Sequence, residues 1–372
     1  MADGKDIYRI GLTMTVGVGE KIAKRLLELF DGDAEAVFRE KEHILGKVAG
    51  VGAIVSASLH NPETLRRAEA ELRFVEQNNI RIVFLNEEGY PFRLAQCPDA
   101  PILLYYKGEA DLDATYMVSI VGTRSATVYG QGLTDKFVHD LGEMLPETHI
   151  VSGLAYGIDI MSHRAALKEG LRTVAILAHG LDRIYPSVHR TTAVEMLREG
   201  GGLLTEYPHG TTPEKLNFVK RNRIVAGLSE AVVVVESPHR GGSLITADMA
   251  LGYARSVFAF PGRTTDSHST GCNDLIRYNK AALILSATHF VSEMGWTEQS
   301  LAAAVPQELP FVEEGDAGRV LAILRTHEDA HIDHIGRLAE MPMSKLLPTL
   351  LDLEVADLII QLPGNRYRIA ST

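Results

Sequence analysis

The chain is short of the residues that staple small secreted folds and of the runs that hold a protein in a bilayer. It has two cysteines in 372 residues, Cys97 and Cys272. Two cannot build a disulfide framework, and they lack metal-ligand spacing. No apolar run is long enough to span a membrane, and the start, MADGKDIYRI, lacks the charged-then-apolar pattern of a signal peptide. The expectation is a cytoplasmic protein with no membrane partner. Net positive charge is also missing: the formal charge is -11 and the pI about 5.7, which argues against an all-over electrostatic grip on nucleic acid but not against a local one. Two phosphate-binding signatures are absent as well. No G-x-G-x-x-G opens the first crossover and no G-x-x-x-x-G-K-[ST] occurs, so neither NAD nor ATP is favoured and no cofactor is expected.

What is present divides by pattern. Residues 1–78 read as short helices punctuated by glycine, with two similar segments, TVGVGEKIAKRLLELF (15–30) and VAGVGAIVSASLH (48–60). A Gly-x-Gly turn before a helix leaves backbone N–H groups free for a phosphate, the logic of a helix-hairpin-helix contact; a plain helical packing module fits the same pattern. Residues 79–297 form the largest region. IRIVFL reads as a strand, and YPFRLAQCPDAPILLYYKG as an extended connector. From Met117, apolar runs alternate with helical patterns: MVSIVG, HIVSGL, TVAILAHG, GLLTEY, AVVVVES, SVFAFPG and AALIL. Runs that are apolar throughout are buried on both faces, which predicts a Rossmann-like, doubly wound parallel α/β sheet. Residues 298–316 read as an acidic, proline-bounded linker. Residues 317–372 hold three helical patterns and a hairpin around Pro-Gly-Asn, a winged helix. Its recognition helix, near Ser344–Leu353, has one cation, Lys345, so a protein-contact role stands beside base reading.

In an open parallel sheet, ligands bind beyond the carboxyl ends of the strands. The loops there share one chemistry. GTRSATVYG offers Gly122 for close approach and Arg124 as a planar phosphate fork. SGLAYGID places Ser152, Gly153 and Tyr156 around a helix start, and SPHRGGSLIT puts Gly241 and Gly242 before Ser243, a candidate N-cap. To these the stretch EKLNFVKRNRIVAG adds Lys215, Phe218, Lys220, Arg221, Asn222 and Arg223. At 100° per residue its cations cannot all face one way, so each of Lys220, Arg221 and Arg223 is either a nucleic-acid contact or an internal partner of acids such as Glu206 or Glu236. Together the loops suit several phosphates rather than one.

These residues resemble those of the DNA-processing protein A family (DprA/Smf). The resemblance rests on IVGTRSATVYG, VSGLAYGIDIMSHRAAL, FVKRNRIVAGLS, ESPHRGGSLITADMALGYARSVFAFPG and GCNDLI, in order from about Tyr90 to Phe290. It implies an N-terminal helical domain of sterile-alpha-motif type, a Rossmann-like DNA-binding domain and a C-terminal winged helix. It implies a non-enzymatic mediator of recombination that binds and protects single-stranded DNA, forms a homodimer and loads RecA during natural transformation. Residue by residue, it implies that Arg124 contacts backbone phosphate, that Lys215 contacts DNA, that Phe218 lies against a base, and that Gly241, Gly242 and Ser243 help shape the same pocket. Tyr156 stands where some members carry Lys or Arg, so a cationic contact is replaced by a ring able to stack.

Other chemistry is less well supplied. Asp159 and His163 share a helix face at i and i+4, but no second carboxylate–His pair follows, and a cap with a packed histidine is expected rather than a metal. His179, Asp182 and His189 suggest a hydrolytic triad, but no serine sits in a G-x-S-x-G elbow. The competing readings are a nucleotide-phosphate hydrolase using Glu206 or Glu236, and a transcription regulator using the winged helix. The edge near residues 272–291 is the expected homodimer surface.

Overall fold

The computed structural model describes residues 4–296, 315–327, 329–356 and 358–370. The expected linker, 298–316, lies almost wholly outside the described residues. The chain divides into two compact units. One comprises residues up to Tyr90 with Pro98–Ala110 and Val174–Arg221, and the other comprises Pro91–Cys97, Asp111–Thr173 and residues from Asn222 onward.

In the first unit, six helices come first: α1 (Gly4–Met14), α2 (Glu20–Leu29), α3 (Ala34–Arg39), α4 (Glu42–Leu45), α5 (Ala53–Leu59) and α6 (Pro62–Gln77). The two Gly-x-Gly turns behave alike. Gly19 caps α2 and Gly52 caps α5, and Gly17 and Gly50 take φ of +85° and +92°. After the helices come β1 (Arg81–Phe84), β2 (Leu103–Gly108), β5 (Thr173–Ile176), α10 (Arg190–Arg198) and β6 (Gly202–Thr205). The stretch read as a connector therefore holds a strand. β2 pairs antiparallel with both β1 (Ile82 opposite Tyr105) and β6 (Tyr106 opposite Leu204), while β5 and β6 run parallel. Its run LLYYKG is buried enough to be a strand; the flanking prolines concealed it.

The second unit has α7 (Phe92–Ala95), β3 (Met117–Val121), α8 (Val128–Met144), β4 (His149–Ser152) and α9 (Ile158–Lys168). It continues with β7 (Ala231–Val234), α12 (Gly242–Gly252), β8 (Ser256–Ala259), α13 (Thr270–Arg277), β9 (Ala282–Leu283) and α14 (Ala287–Met294). Helix α11 (Lys215–Leu228) contains the division between the units. The strands lie in the order β4-β3-β7-β8-β9, and each runs parallel to its neighbour. Chain order runs one way from β3 to β4 and the other way from β7 to β9, so the reversal falls between β3 and β7. Such a reversal is where open α/β sheets bind ligands. The core beneath it is apolar and aromatic. Phe137 meets Phe290 edge-on at 5.4 Å, and Phe290 meets Trp296 at 5.2 Å.

The winged helix follows with α15 (Asp316–Thr326), β10 (Ala330–His331), α16 (Ile332–Ala339), α17 (Met343–Val355), β11 (Ile359–Leu362) and β12 (Arg366–Ile369). Its three strands order β10-β12-β11, and Leu321, Ile335, Leu346 and Leu350 fill its own core. A buried charge cluster ties it within the second unit. Arg93 pairs with Glu230, Arg255 pairs with Asp333 of α16, and the Trp296 indole N–H donates to Glu230 at 3.1 Å.

Candidate nucleic-acid interface

At the reversal point of the second unit, three strand-end loops interlock through backbone contact. The Thr123 N–H donates to the Glu236 carbonyl at 2.7 Å, joining the loop after β3 to the loop after β7. The Ile158 N–H donates to the Thr123 carbonyl at 3.2 Å, joining the loop after β4 to both. Glycine is required at these junctions. A Cβ on Gly122 would stand 2.4 Å from Ile158 and 2.9 Å from the Glu236 carbonyl; one on Gly157, whose φ is +74°, would stand 2.1 Å from the Thr123 carbonyl. Arg124 lies at this junction with its side chain exposed.

The buried Glu236 carboxylate is wholly engaged there. One oxygen accepts from the Thr127 hydroxyl at 2.6 Å, the other from the Thr127 N–H at 2.9 Å, and Thr127 caps α8 through Gly130. Glu236 is thus an anchor for a helix cap, not a carboxylate poised over a glycosidic bond. Two neighbouring helices begin without a side-chain cap, α9 at Gly157 and α12 at Gly241. At α9 the Ile158 and Ile160 N–H groups are taken by the Thr123 and Ala155 carbonyls, so α12 is the start that leaves first-turn N–H groups without a side-chain acceptor.

Several expected contacts have other work. Ser152 is 0% exposed and donates to the Ile120 carbonyl at 2.6 Å, fixing the loop from beneath, with Gly153 buried beside it. Ser243 is not the cap of α12; Gly241 is, and the Ser243 hydroxyl is buried against Ser237 at 2.8 Å. Tyr156 is 47% exposed, so its ring faces solvent at the loop rim. Gly242 is exposed, and its carbonyl accepts from the Asn222 amide at 3.4 Å. Arg240 and Arg263, exposed on the loops after β7 and β8, went unremarked in the sequence. Their position between a strand end and a helix start was the available signal.

In the first unit the site is the start of α11. The Glu214 carbonyl accepts from the Asn217 and Phe218 N–H groups, which sets the helix going. Lys215 and Lys220 are exposed, and Phe218 is half-buried with its ring 5.8 Å from that of Tyr185. Arg221 sits 6.0 Å over the Phe218 ring but is only 4% exposed, and Arg223 is 5% exposed. The reason is helical phase: Arg221 shares a face with Ile224 and Val225, and Arg223 shares one with Gly227, against which Cys97 and Leu94 pack. The surface cations of this stretch are therefore Lys215 and Lys220.

The remaining chemistry resolves into structure. His163 bonds Thr173 at 2.7 Å, and Asp159 accepts weakly from the Ala155 N–H at 3.4 Å. Among the described residues no group of three or more His, Cys, Asp or Glu is placed to hold a metal. Asn273 clasps Gly262 through both its amide oxygen and its amide nitrogen, each at 3.1 Å.

Comparison with known proteins adds the following. A sequence profile for "DNA recombination-mediator protein A" matches residues 81–295, and one for the "DprA winged helix domain" matches residues 302–365. Protein Smf of Synechocystis is 32% identical, covering 99% of this chain and 100% of that protein. DNA processing protein DprA of Streptococcus pneumoniae is 35% identical over 68% of this chain and 88% of its own. Its solved X-ray structure superposes with a TM-score of 0.63, covering 77% of this chain and 97% of that one. A solved structure of DNA processing protein A from Helicobacter pylori, a protein with a single-stranded DNA binding mode, matches at 29% identity and a TM-score of 0.51. It covers 57% of this chain and 94% of that one.

Proposed function

Because the chain belongs to the DNA recombination-mediator protein A family, we propose that it binds and protects single-stranded DNA and passes it to RecA in the cytoplasm during natural transformation. The observation that carries this reading is the first turn of α11, where exposed Lys215 and half-buried Phe218 offer a cation for a phosphate beside a ring for a base. Stacking on a ring tolerates any sequence, because every base has a π-face, and it requires that base to be unpaired. The Helicobacter pylori relative binds single-stranded DNA, which supports the same preference here. Arg124 and the uncapped start of α12 supply further phosphate contacts, with Gly241 and Gly242 giving the backbone close approach, while Gly122 and Gly153 keep the loops packed. Tyr156 and Asn222 are further candidate contacts in the second unit, and Lys220 is one in the first. Ser152, Ser243, Arg221 and Arg223 hold the scaffold in place.

The chain acts as a homodimer in this reading. β9 is an edge strand, and the surface around it exposes Tyr278 and Leu285 at 60% each and Leu283 at 47%. An unpaired edge flanked by exposed apolar side chains is an invitation to pair. Two copies would engage one strand twice, with the gain in avidity that follows. In this reading the helical N-terminal region (1–78), the Rossmann-like region (79–297) and the winged helix (317–372) act as three parts, with the linker 298–316 between the last two.

The test is binding of a labelled oligo-dT and of its duplex across a salt series. Wild type is expected to prefer the single strand. Arg124→Ala and Lys215→Ala are each expected to weaken binding and to flatten the slope of log K against log salt by about 0.7, one phosphate contact on a single strand. Equal binding by wild type and both variants would overturn the site assignment.

A further inference from the structure

The loop that follows β5 carries a large aromatic side chain in an unusual setting. Tyr185 is 46% exposed, yet the backbone beneath it is tied down by hydrogen bonds. Its N–H donates to Nε2 of His179 at 3.2 Å, and the other ring nitrogen, Nδ1, bonds the Gly180 carbonyl at 2.9 Å. A nitrogen that accepts from an N–H carries no proton, so the imidazole is the neutral form with its hydrogen on Nδ1. Burial favours the same state, holding the His179 pKa below the ordinary histidine value. The Thr205 hydroxyl donates to the His179 carbonyl at 2.9 Å, and the Gly210 N–H donates to Asp182 at 3.0 Å. Gly180 completes the clamp, since a Cβ there would lie 2.4 Å from the Pro208 carbonyl. Two of the groups that suggested a hydrolytic triad, His179 and Asp182, are thus parts of a loop support.

That support presents the Tyr185 ring 5.8 Å from the Phe218 ring, inclined at 53°. The inclination keeps the two rings from stacking face to face, and the Tyr185 ring, 46% exposed, keeps area open to another π-system. An aromatic ring left 46% exposed on a hydrogen-bonded loop, beside a second ring one turn along α11 from Lys215, suits a ligand with its own π-face.

We propose that Tyr185 is a second base-stacking platform, taking the nucleobase next to the one on Phe218. This deepens the reading of the α11 site and rests on it. The His179 imidazole is a positioning residue that keeps the platform in place. The ligand is an unpaired nucleobase of either type, since no side chain that would read a base edge is invoked. Fixing the ring in advance leaves little ordering for binding to impose.

The experiment compares Tyr185→Ala, Tyr185→Phe and Phe218→Ala for binding of a labelled oligo-dT across a salt series. It adds photocrosslinking to an oligonucleotide containing 5-iodo-deoxyuridine. Tyr185→Ala is expected to weaken single-strand binding about 5- to 150-fold with an unchanged salt slope, because a stacked base and no phosphate contact is removed. Tyr185→Phe keeps the ring and restores binding, and the crosslinked peptide of the wild type contains Tyr185. Wild-type affinity in Tyr185→Ala alongside weakened Phe218→Ala overturns this inference and leaves the function reading intact. A flattened salt slope in Tyr185→Ala, or failure of Tyr185→Phe to restore binding, also overturns it. Wild-type affinity in both alanine variants removes the α11 site itself.

Discussion

Asp333 in α16 is 2% exposed and lies against two arginines buried at 0% and 1%, Arg93 and Arg255. The Arg255 guanidinium donates to one carboxylate oxygen, and Arg93 approaches the other at 3.9 Å. Burial alone would raise the Asp333 pKa, but Arg255, His331 and Arg93 outweigh it and hold the pKa below the ordinary aspartate value. Replacing Asp333 by alanine leaves two buried cations short of a counter-charge, and removing one partner of a buried pair costs about 3–5 kcal/mol. For a unit of this size that is a fall of roughly 6–20 °C in melting temperature. A thermal melt measures the fall, and hydrogen exchange locates it, with protection lost first across α15 to β12. The pH profile carries its own sign. A depressed carboxylate pKa contributes stability that is complete above the unfolded aspartate value and is lost as pH falls through the folded value. The wild type should therefore weaken on acidification, while Asp333→Ala should show a flatter acid limb. Replacing the cluster as a set by apolar residues of similar volume should recover much of the loss. A melting temperature within about 1 °C of wild type, with the acid limb unchanged, would refute the argument, since 1 kcal/mol alone is worth about 2–4 °C here.

Three further outcomes follow from other parts of the molecule. Gly157→Ala forces a side chain into a backbone at φ +74° and onto the Thr123 carbonyl; it should cost on the order of 1–3 kcal/mol and weaken single-strand binding, read by melt and by oligonucleotide titration. Leu283→Glu with Leu285→Glu places charge on β9 and the exposed edge beside it; if the proposed homodimer forms there, light scattering should show its mass fall to that of a monomer with little change in the melt. Burial pushes the Cys272 thiol up to about 12, so iodoacetamide at pH 8 should leave it unmodified until the protein is unfolded; rapid labelling of the native protein would contradict the placement.

Much of the architecture was readable because parallel strands buried on both faces appear as unbroken apolar runs, and AVVV of β7 is an instance. β2 was hidden because its apolar run follows a proline-rich stretch and pairs with β1 and β6 from distant parts of the sequence. The site divides in the same way. Gly122 and Arg124 announced themselves by position after a strand. Ser152 and Ser243 were misleading because a hydroxyl at a strand end looks alike whether it meets a ligand or, as here, a buried carbonyl or serine. Helical phase showed that the cations of α11 cannot share a face; only the packing of Ile224, Val225 and Gly227 showed that Arg221 and Arg223 are the ones turned inward. Tyr185 was overlooked because its neighbour Phe218 lies 33 positions away and its support, His179, invited a catalytic reading.

The chain has a single tryptophan, Trp296. Its indole is 5% exposed, bonded to Glu230 and set 5.0 Å from the Tyr116 ring, beside His327, His331 and His334 of the winged helix. Emission excited at the red edge therefore comes from one place, the seam between the sheet and the winged helix. Undocking of that module would expose the indole to water, shift its emission to longer wavelength and open it to collisional quenchers. The protein thus carries an intrinsic optical gauge of whether its winged helix is seated, readable during DNA titration without any attached dye.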